Sequence, residues 1–406
     1  MDKITYPLRI PPSFPITPGA AAWKGIDWMK LTKLNVERVR SLMKAEGIDA
    51  IFAHKGEHFQ YVTGYLNPIQ YLALHGHRQA AIVLADEEQP IMLAGAADYC
   101  DIKSYWWIQD VRSMPMGFGR WPEIIEGALH DHGLKKGKLA LDPTSPYTLV
   151  DGIRNQLGSD YTYISAGKLL TRALSVLNDE EIKVMRRATA ITTTMMAAAK
   201  AACKLGVREV DVLFEMNHAL EKVEPMAYPY FRQMVMSGER GGYLDRATTT
   251  KIIGQGEIVD IDAGCSYLGY TSEWERDVMI GKPTEEQKKL YRAIYNAQQA
   301  VVNALRPGAS VLELDRLARR MIEEAGYGDY QMAHYTGHQH GLGHAPSIGD
   351  PGETQDYVLE AGMICAIEPG IFKPGVGGVR IEDSVLITET GHEVLSKFDY
   401  CNELLE

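Results

Sequence analysis

The stretch GEIVDIDAG sets Asp260 and Asp262 two residues apart inside an otherwise apolar run. Alternate residues of a strand share a face, so both carboxylates point one way while Val259 and Ile261 point the other. A buried anion costs several kcal/mol unless a positive charge sits against it. Such a strand is either a solvent-washed edge or one wall of a site that holds a cation. Other segments repeat the pattern and favour the second reading. SEWERDV carries Glu273 and Glu275, and AGMICAIEPG places Glu368 after an apolar strand and before a proline. GGVRIEDSVLIT puts Arg380 and Glu382 on one strand face, with Val379 and Ile381 on the other. YTGHQHGLGH clusters His338, His340 and His344 among glycines, where backbone can approach a ligand closely. Acids on apolar strands plus a glycine-flanked histidine make the donor set of a two-metal oxygen/nitrogen site.

The remainder of the chain reads as scaffold. Its 406 residues exceed the size at which one hydrophobic core stops growing, so two domains are expected. Pro7, Pro11, Pro12, Pro15 and Pro18 fix φ and remove donors, which makes residues 1–20 an extended arm. LTKLNVERVRSLMKAEG is a helix with Leu34, Val39, Leu42 and Met43 on one stripe and a glycine stop. IDAIFA, AAIVLA, QPIMLA and KLALD are compact apolar runs, as in a central sheet covered by helices. This first α/β unit ends near Val176, giving an N-terminal domain over residues 21–176 and a C-terminal one over 177–406.

Within the C-terminal part, Asn178 to Glu181 and Thr284 to Gln287 both have the spacing of a capping box at the start of a long helix. Each long helix is followed by a glycine turn, at Gly206 and Gly308, and a second amphipathic helix. Two such units about a hundred residues apart indicate an internally duplicated half-domain.

A formal net charge of −11 with no Lys/Arg-rich stripe argues against nucleic acid as a partner. No apolar run approaches the roughly 18 residues of a membrane span, and the first residues lack the apolar core of a secretory signal. Cys100, Cys203, Cys265, Cys365 and Cys401 are scattered and odd in number, the usage of reduced thiols in a cytoplasmic protein. Cys265 and Cys365 read as small core residues, and the Trp106–Trp107 pair as buried packing.

Over roughly residues 178–396 these motifs resemble the pita-bread superfamily of Xaa-Pro aminopeptidase, prolidase and creatinase. IVDIDAGCSYLGYTSEWERDVMIG is similar to the strand pair that supplies two aspartate ligands eleven residues apart, and TGHQHGLGH to the histidine-ligand motif. YVLEAGMICAIEPGIF followed by GVGGVRIEDSVLITETG is close to the segment supplying the last two glutamate ligands. YVTGY, residues 61–65, fits the smaller creatinase-type domain. The resemblance implies an α/β (α+β) fold: a creatinase-type N-terminal domain, then duplicated α/β half-domains around a curved antiparallel sheet. It also implies a homodimeric hydrolase with two divalent ions (Mn, Fe, Co or Zn) per subunit. Carried over, the metal ligands are Asp262, Glu273, His338, Glu368 and Glu382. A metal-activated water passes its proton to Glu368, and His344 or Arg380 steadies the oxyanion.

The chain departs from the family at several positions. Glu273 stands where the family has Asp. The substrate-contacting histidine of the peptidases falls on Asp245, and His344 follows the histidine ligand by six residues rather than seven. Glu275–Arg276 resembles the creatinase pair, whose glutamate holds a guanidino-type substrate without a metal. Asp260, Asp245, His340 and, from the N-terminal domain, Arg78 are the expected substrate-facing residues, with His75 and His77 on the surface. The substrate implied is a small C–N compound, a proline-containing dipeptide by default, with a non-peptide amide or amidine close behind. Metal-free creatinase- or ectoine-type hydrolysis and a metal-assisted lyase acting on an onium or carboxylate compound such as a dimethylsulfonio acid stay open. A catalytically silent binding protein would show an eroded ligand set, whereas four of the five positions match.

Overall fold

The computed structural model describes residues 25–66, 79–95, 99, 102–103, 107–230, 233–244, 247–331, 335–343, 346–348 and 356–406. The expected proline-rich arm, His75, His77, Arg78, Cys100, Trp106, Asp245 and His344 lie outside the described residues. The chain forms two compact units, one ending at Ala173 and the other running Leu174–Glu406.

The first unit opens with α1 (Trp28–Glu46), where Asp27 accepts from the Lys30 amide and Gly47 at φ 61° closes the last turn. Its strands are β1 (Ala50–Ala53), β2 (Ala80–Leu84), β3 (Ile91–Gly95), β4 (Val111–Met114), β5 (Gly137–Leu141) and β6 (Tyr161–Ser165). They form one mixed sheet in the order β4-β3-β2-β1-β5-β6. Strands β1 to β3 are buried on both faces, which is why their sequences are continuous apolar runs rather than alternating ones. The helices are α2 (Gly56–Thr63), α3 (Trp121–Asp131) and α4 (Tyr147–Leu157), with α5 (Gly167–Ser175) at the end of the unit. Beyond β5, the buried Asp142 carboxylate accepts from the amides of His54 and Lys55 and from Thr144, and lies 2.6 Å from His58 Nδ1.

In the second unit, α6 (Asp179–Ala202) and α7 (Glu209–Val223) precede β7 (Ala227–Pro229), β8 (Met234–Ser237), β9 (Ile258–Tyr267) and β10 (Tyr270–Met279). A second helix pair, α8 (Glu285–Ala304) and α9 (Val311–Glu324), precedes β11 (Gly337–His340), β12 (Ser347–Ile348) and β13 (Ile364–Ile367). Then come β14 (Gly370–Lys373), β15 (Gly377–Arg380), β16 (Asp383–Ile387), β17 (His392–Val394) and the short α10 (Asn402–Leu405). Both expected capping boxes form, Asn178 with Glu181 and Thr284 with Gln287.

The duplication extends to the backbone. The Gly206 amide donates to Ile253 O and that of Glu209 to Lys251 O; in the second half Gly308 donates to Leu359 O and Val311 to Tyr357 O. Each helix pair is thereby pinned to the segment leading into a buried strand, β9 or β13. The strands form antiparallel ladders, β10-β9-β7 with β8 on β9, β12-β11-β13-β16-β17, and the ribbon β14-β15. A bridge between Tyr270 and Leu342, and the Thr271 amide on Gly341 O, join the first ladder to the second.

Candidate metal centre

Strand β9 is no exposed edge: it pairs with β10 on one side and with β7 and β8 on the other, and all ten of its residues are buried. Its hairpin with β10 turns through Leu268 and Gly269, both at positive φ (53° and 84°), as a two-residue turn with the strands' own twist requires. That turn fixes the register, setting Glu275 opposite Asp262, Asp277 opposite Asp260 and Glu273 opposite Gly264. Strand alternation then sends Asp260, Asp262, Glu273, Glu275 and Asp277 to one face. Asp277 escaped the sequence reading, although continuing the alternation of Glu273 and Glu275 by two residues finds it.

Three further segments close on this face. Gly337 starts β11 where a Cβ would lie 2.0 Å from Ala366 O, so only glycine lets β11 approach β13 and present His338. Glu368 follows β13, its amide held by Thr336 O at 2.8 Å. Arg380 ends β15, but Glu382 does not continue that strand as the sequence implied. The chain leaves the β14-β15 ribbon at Ile381 and enters the other ladder at Asp383, with Glu382 between them. Val379 and Ile381 pack in the core behind, as expected.

At the centre, Glu273 Oε1 lies 2.7 Å from His338 Nε2 and 3.5 Å from His340 Nε2, and Glu368 Oε1 is 3.8 Å from His338 Nε2. One donor atom from each of Glu273, His338, His340 and Glu382 falls within 4.8 Å of the others. Beside this cluster the Arg380 guanidinium donates from Nη2 to Asp262 Oδ2 at 2.6 Å and from Nη1 to Glu368 Oε2 at 3.2 Å, with Nε on Glu275 Oε2. The guanidinium that Glu275 receives is thus the chain's own. Glu275 and Arg276, expected as a pair, point to opposite faces. Arg276 donates to the carbonyls of Glu275 and Glu382 at 2.9 and 2.6 Å and pairs with Asp383 at 2.6 Å, stacked by Trp274 and Tyr400. It therefore fixes the backbone from which Glu382 projects.

One arginine does not neutralise this many acids. Burial pushes Asp260 up to about 7 and raises Asp262, Glu275, Asp277 and Glu382 well above the carboxylate range, neighbouring carboxylates adding to the effect. Burial works against a charged His338, but its contact with Glu273 prevails and lifts the imidazole to about 9. Burial also opposes the Glu273 anion, yet the contact with His338 holds that carboxylate well below its ordinary range. His340 is pushed down by burial. Oxygens of Asp260, Asp262, Glu275, Asp277 and Glu382 remain buried with no hydrogen-bond partner. A pocket with unsatisfied carboxyl oxygens and two imidazoles fits a divalent cation with mixed oxygen and nitrogen preference.

Comparison with known proteins agrees. Residues 183–389 match the model of metallopeptidase family M24, and residues 35–176 that of the creatinase/prolidase N-terminal domain. The chain belongs to metallopeptidase family M24. As a member of M24 it is a hydrolase, with a creatinase-like N-terminal domain before its M24 domain. It is 29% identical over 367 residues to an Xaa-Pro dipeptidase of Pyrococcus furiosus, covering 90% of this chain and 98% of that one. A putative dipeptidase of Bacillus subtilis, YkvY, is 29% identical over 368 residues, covering 89% and 97%. Among solved structures, the prolidase of Pyrococcus horikoshii OT3 superposes with a TM-score of 0.78 at 27% identity, over 90% of this chain and 99% of that one. An Xaa-Pro dipeptidase from Bacillus anthracis gives 0.79 at 26%, over 91% and 98%. No helix among the described residues is long and apolar enough to cross a membrane.

Proposed function

We propose that this M24 protein is a metal-dependent dipeptidase that hydrolyses the C–N bond of a small substrate, an Xaa-Pro dipeptide in the first instance. The observation that carries this reading is the convergence of Glu273, His338, Glu368 and Glu382, with a buried Glu382 oxygen left without a hydrogen-bond partner. The names of the similar dipeptidases and prolidase support the substrate class.

Asp262, Glu273, His338, Glu368 and Glu382 would hold the metal, and Asp262 and Glu368 are each oriented by a hydrogen bond from Arg380. When bound, a divalent ion supplies Lewis acidity and brings the pKa of a water towards neutrality. Glu368 would accept a proton from the attacking water and return it to the leaving nitrogen. With its donors on three carboxylates, Arg380 is better suited to hold the cage in register than to bind the oxyanion, the role read for it from sequence.

The test is a panel of Xaa-Pro and non-proline dipeptides assayed with Mn²⁺, Co²⁺ or Zn²⁺ and with chelator. The reading expects metal-dependent release of proline. It also expects a loss of about 10²- to 10⁴-fold in Glu368→Gln, the usual worth of a general acid–base group. Metal-loaded protein that leaves the whole panel intact would remove the dipeptidase reading.

A further inference from the structure

Two histidines on one strand face the same cluster, and the sequence reading gave only His338 to the metal. His340 Nδ1 is 3.1 Å from Ser384 Oγ, and that hydroxyl donates its single proton to Glu273 O at 3.2 Å. Ser384 must therefore accept from His340, so the imidazole carries its proton on Nδ1 and presents a bare Nε2. This Nε2 is buried, lacks a hydrogen-bond partner and faces Glu273 Oε1 at 3.5 Å. A lone pair facing a carboxylate oxygen is repulsive unless a cation lies between them. His338 Nδ1 is 3.1 Å from the Gln339 carbonyl, and its Nε2 lies 2.7 Å from the same Glu273 oxygen.

We propose that His340 is a further metal ligand, joining Glu273, His338 and Glu382 to give one ion an N₂O₂ donor set. The inference rests on the metallohydrolase reading and specifies its metal site. Four donors on a tetrahedral ion at about 2.1 Å lie roughly 3.4 Å apart. The donor atoms here already lie within 4.8 Å of one another, so sub-ångström to ångström side-chain shifts complete the shell. Glutamate at 273 is part of the same design, since its extra methylene extends the carboxylate towards both imidazoles. Arg380 donates to Asp262, Glu275 and Glu368, the acids beside this four-donor set. Ser384 acts as a positioning residue that fixes the tautomer, as hydrogen-bond partners of metal-bound histidines commonly do.

The experiment is Co²⁺ titration of chelator-stripped protein, read by ligand-field absorption, with pulsed EPR of the Cu²⁺ form to count bound imidazoles. Wild type should take up one tightly held ion per chain and show two coupled imidazoles. In His340→Ala one imidazole signal should disappear, the Co²⁺ bands should shift and affinity should fall. Ser384→Ala, a milder change that keeps both imidazoles, should weaken binding about 10- to 100-fold. Circular dichroism of the metal-free variants confirms folding. A single coupled imidazole in wild type, or bands and affinity that His340→Ala leaves unchanged, overturns the assignment while leaving the dipeptidase reading standing. Protein that binds no Co²⁺ sinks both.

Discussion

Replacing Arg380 with methionine removes a cation in contact with Asp262, Glu275 and Glu368 while keeping most of the buried volume. At an effective dielectric of about 20, each charge pair near 4 Å is worth about 4 kcal/mol, a large share of the roughly 5–15 kcal/mol by which a fold is stable. The cage relieves itself by taking up a proton. For a carboxylate with an unfolded-state pKa of about 4.3, protonation costs about 3.7 kcal/mol at pH 7 and about 1 at pH 5. The metal-free variant should therefore be about 3–5 kcal/mol less stable than wild type at pH 7, the usual toll for breaking a buried pair. Because loss of the guanidinium raises the folded pKa of Asp262 and Glu275 further, their contribution is intact below the unfolded pKa and lost as pH rises. The deficit should accordingly shrink by roughly 2–3 kcal/mol between pH 7 and pH 5. Urea denaturation of chelated protein at the two pH values measures both quantities. A deficit under about 1 kcal/mol at pH 7, or one that is independent of pH, would refute the claim that Arg380 is the principal counter-charge of the cage.

Arg276→Met should cost about 3–5 kcal/mol by leaving the buried Asp383 charge to the neutral donors Gln298, Ser396 and Tyr400, and it should also weaken metal binding because Glu382 loses the contact that fixes its carbonyl. Parallel urea and Co²⁺ titrations check the two effects. In the first unit, Asp142→Ala should destabilise by about 2–4 kcal/mol, since it strands the amides of His54, Lys55 and Thr144. Burial opposes the Asp142 charge, but His58 and those amides prevail and depress its folded pKa. The advantage of wild type over Asp142→Asn is thus fully present above about pH 4 and fades as pH falls through the folded value. Denaturation midpoints across pH 3–7 would expose the trend.

Where local physics decides, the fold was legible. The alternation in β9 placed Asp260 and Asp262 together, both capping boxes formed where their spacing put them, and the glycine turns at Gly206 and Gly308 marked the repeat. What depended on tertiary pairing was not. Nothing in GGVRIED shows that the chain changes sheets at Ile381, because a strand and a crossing between sheets share the same alternation. Nor could adjacency reveal that Glu275 and Arg276 belong to opposite faces with separate partners 105 and 107 residues away, Arg380 and Asp383. The bond from Ser384 that sets the His340 tautomer likewise joins residues 44 apart in sequence. Asp277 was within reach of the pattern, whereas the roles of Asp245, His344 and Arg78 lie outside the described residues.

The most direct trial of the account is anomalous diffraction from crystals of the Co²⁺- or Mn²⁺-loaded protein, recorded on both sides of the metal edge. The account places a peak within coordinating distance of Glu273 and His338, bounded by Glu368 and Glu382. Fully loaded protein with its anomalous density elsewhere, and these acids facing one another around water alone, would contradict it.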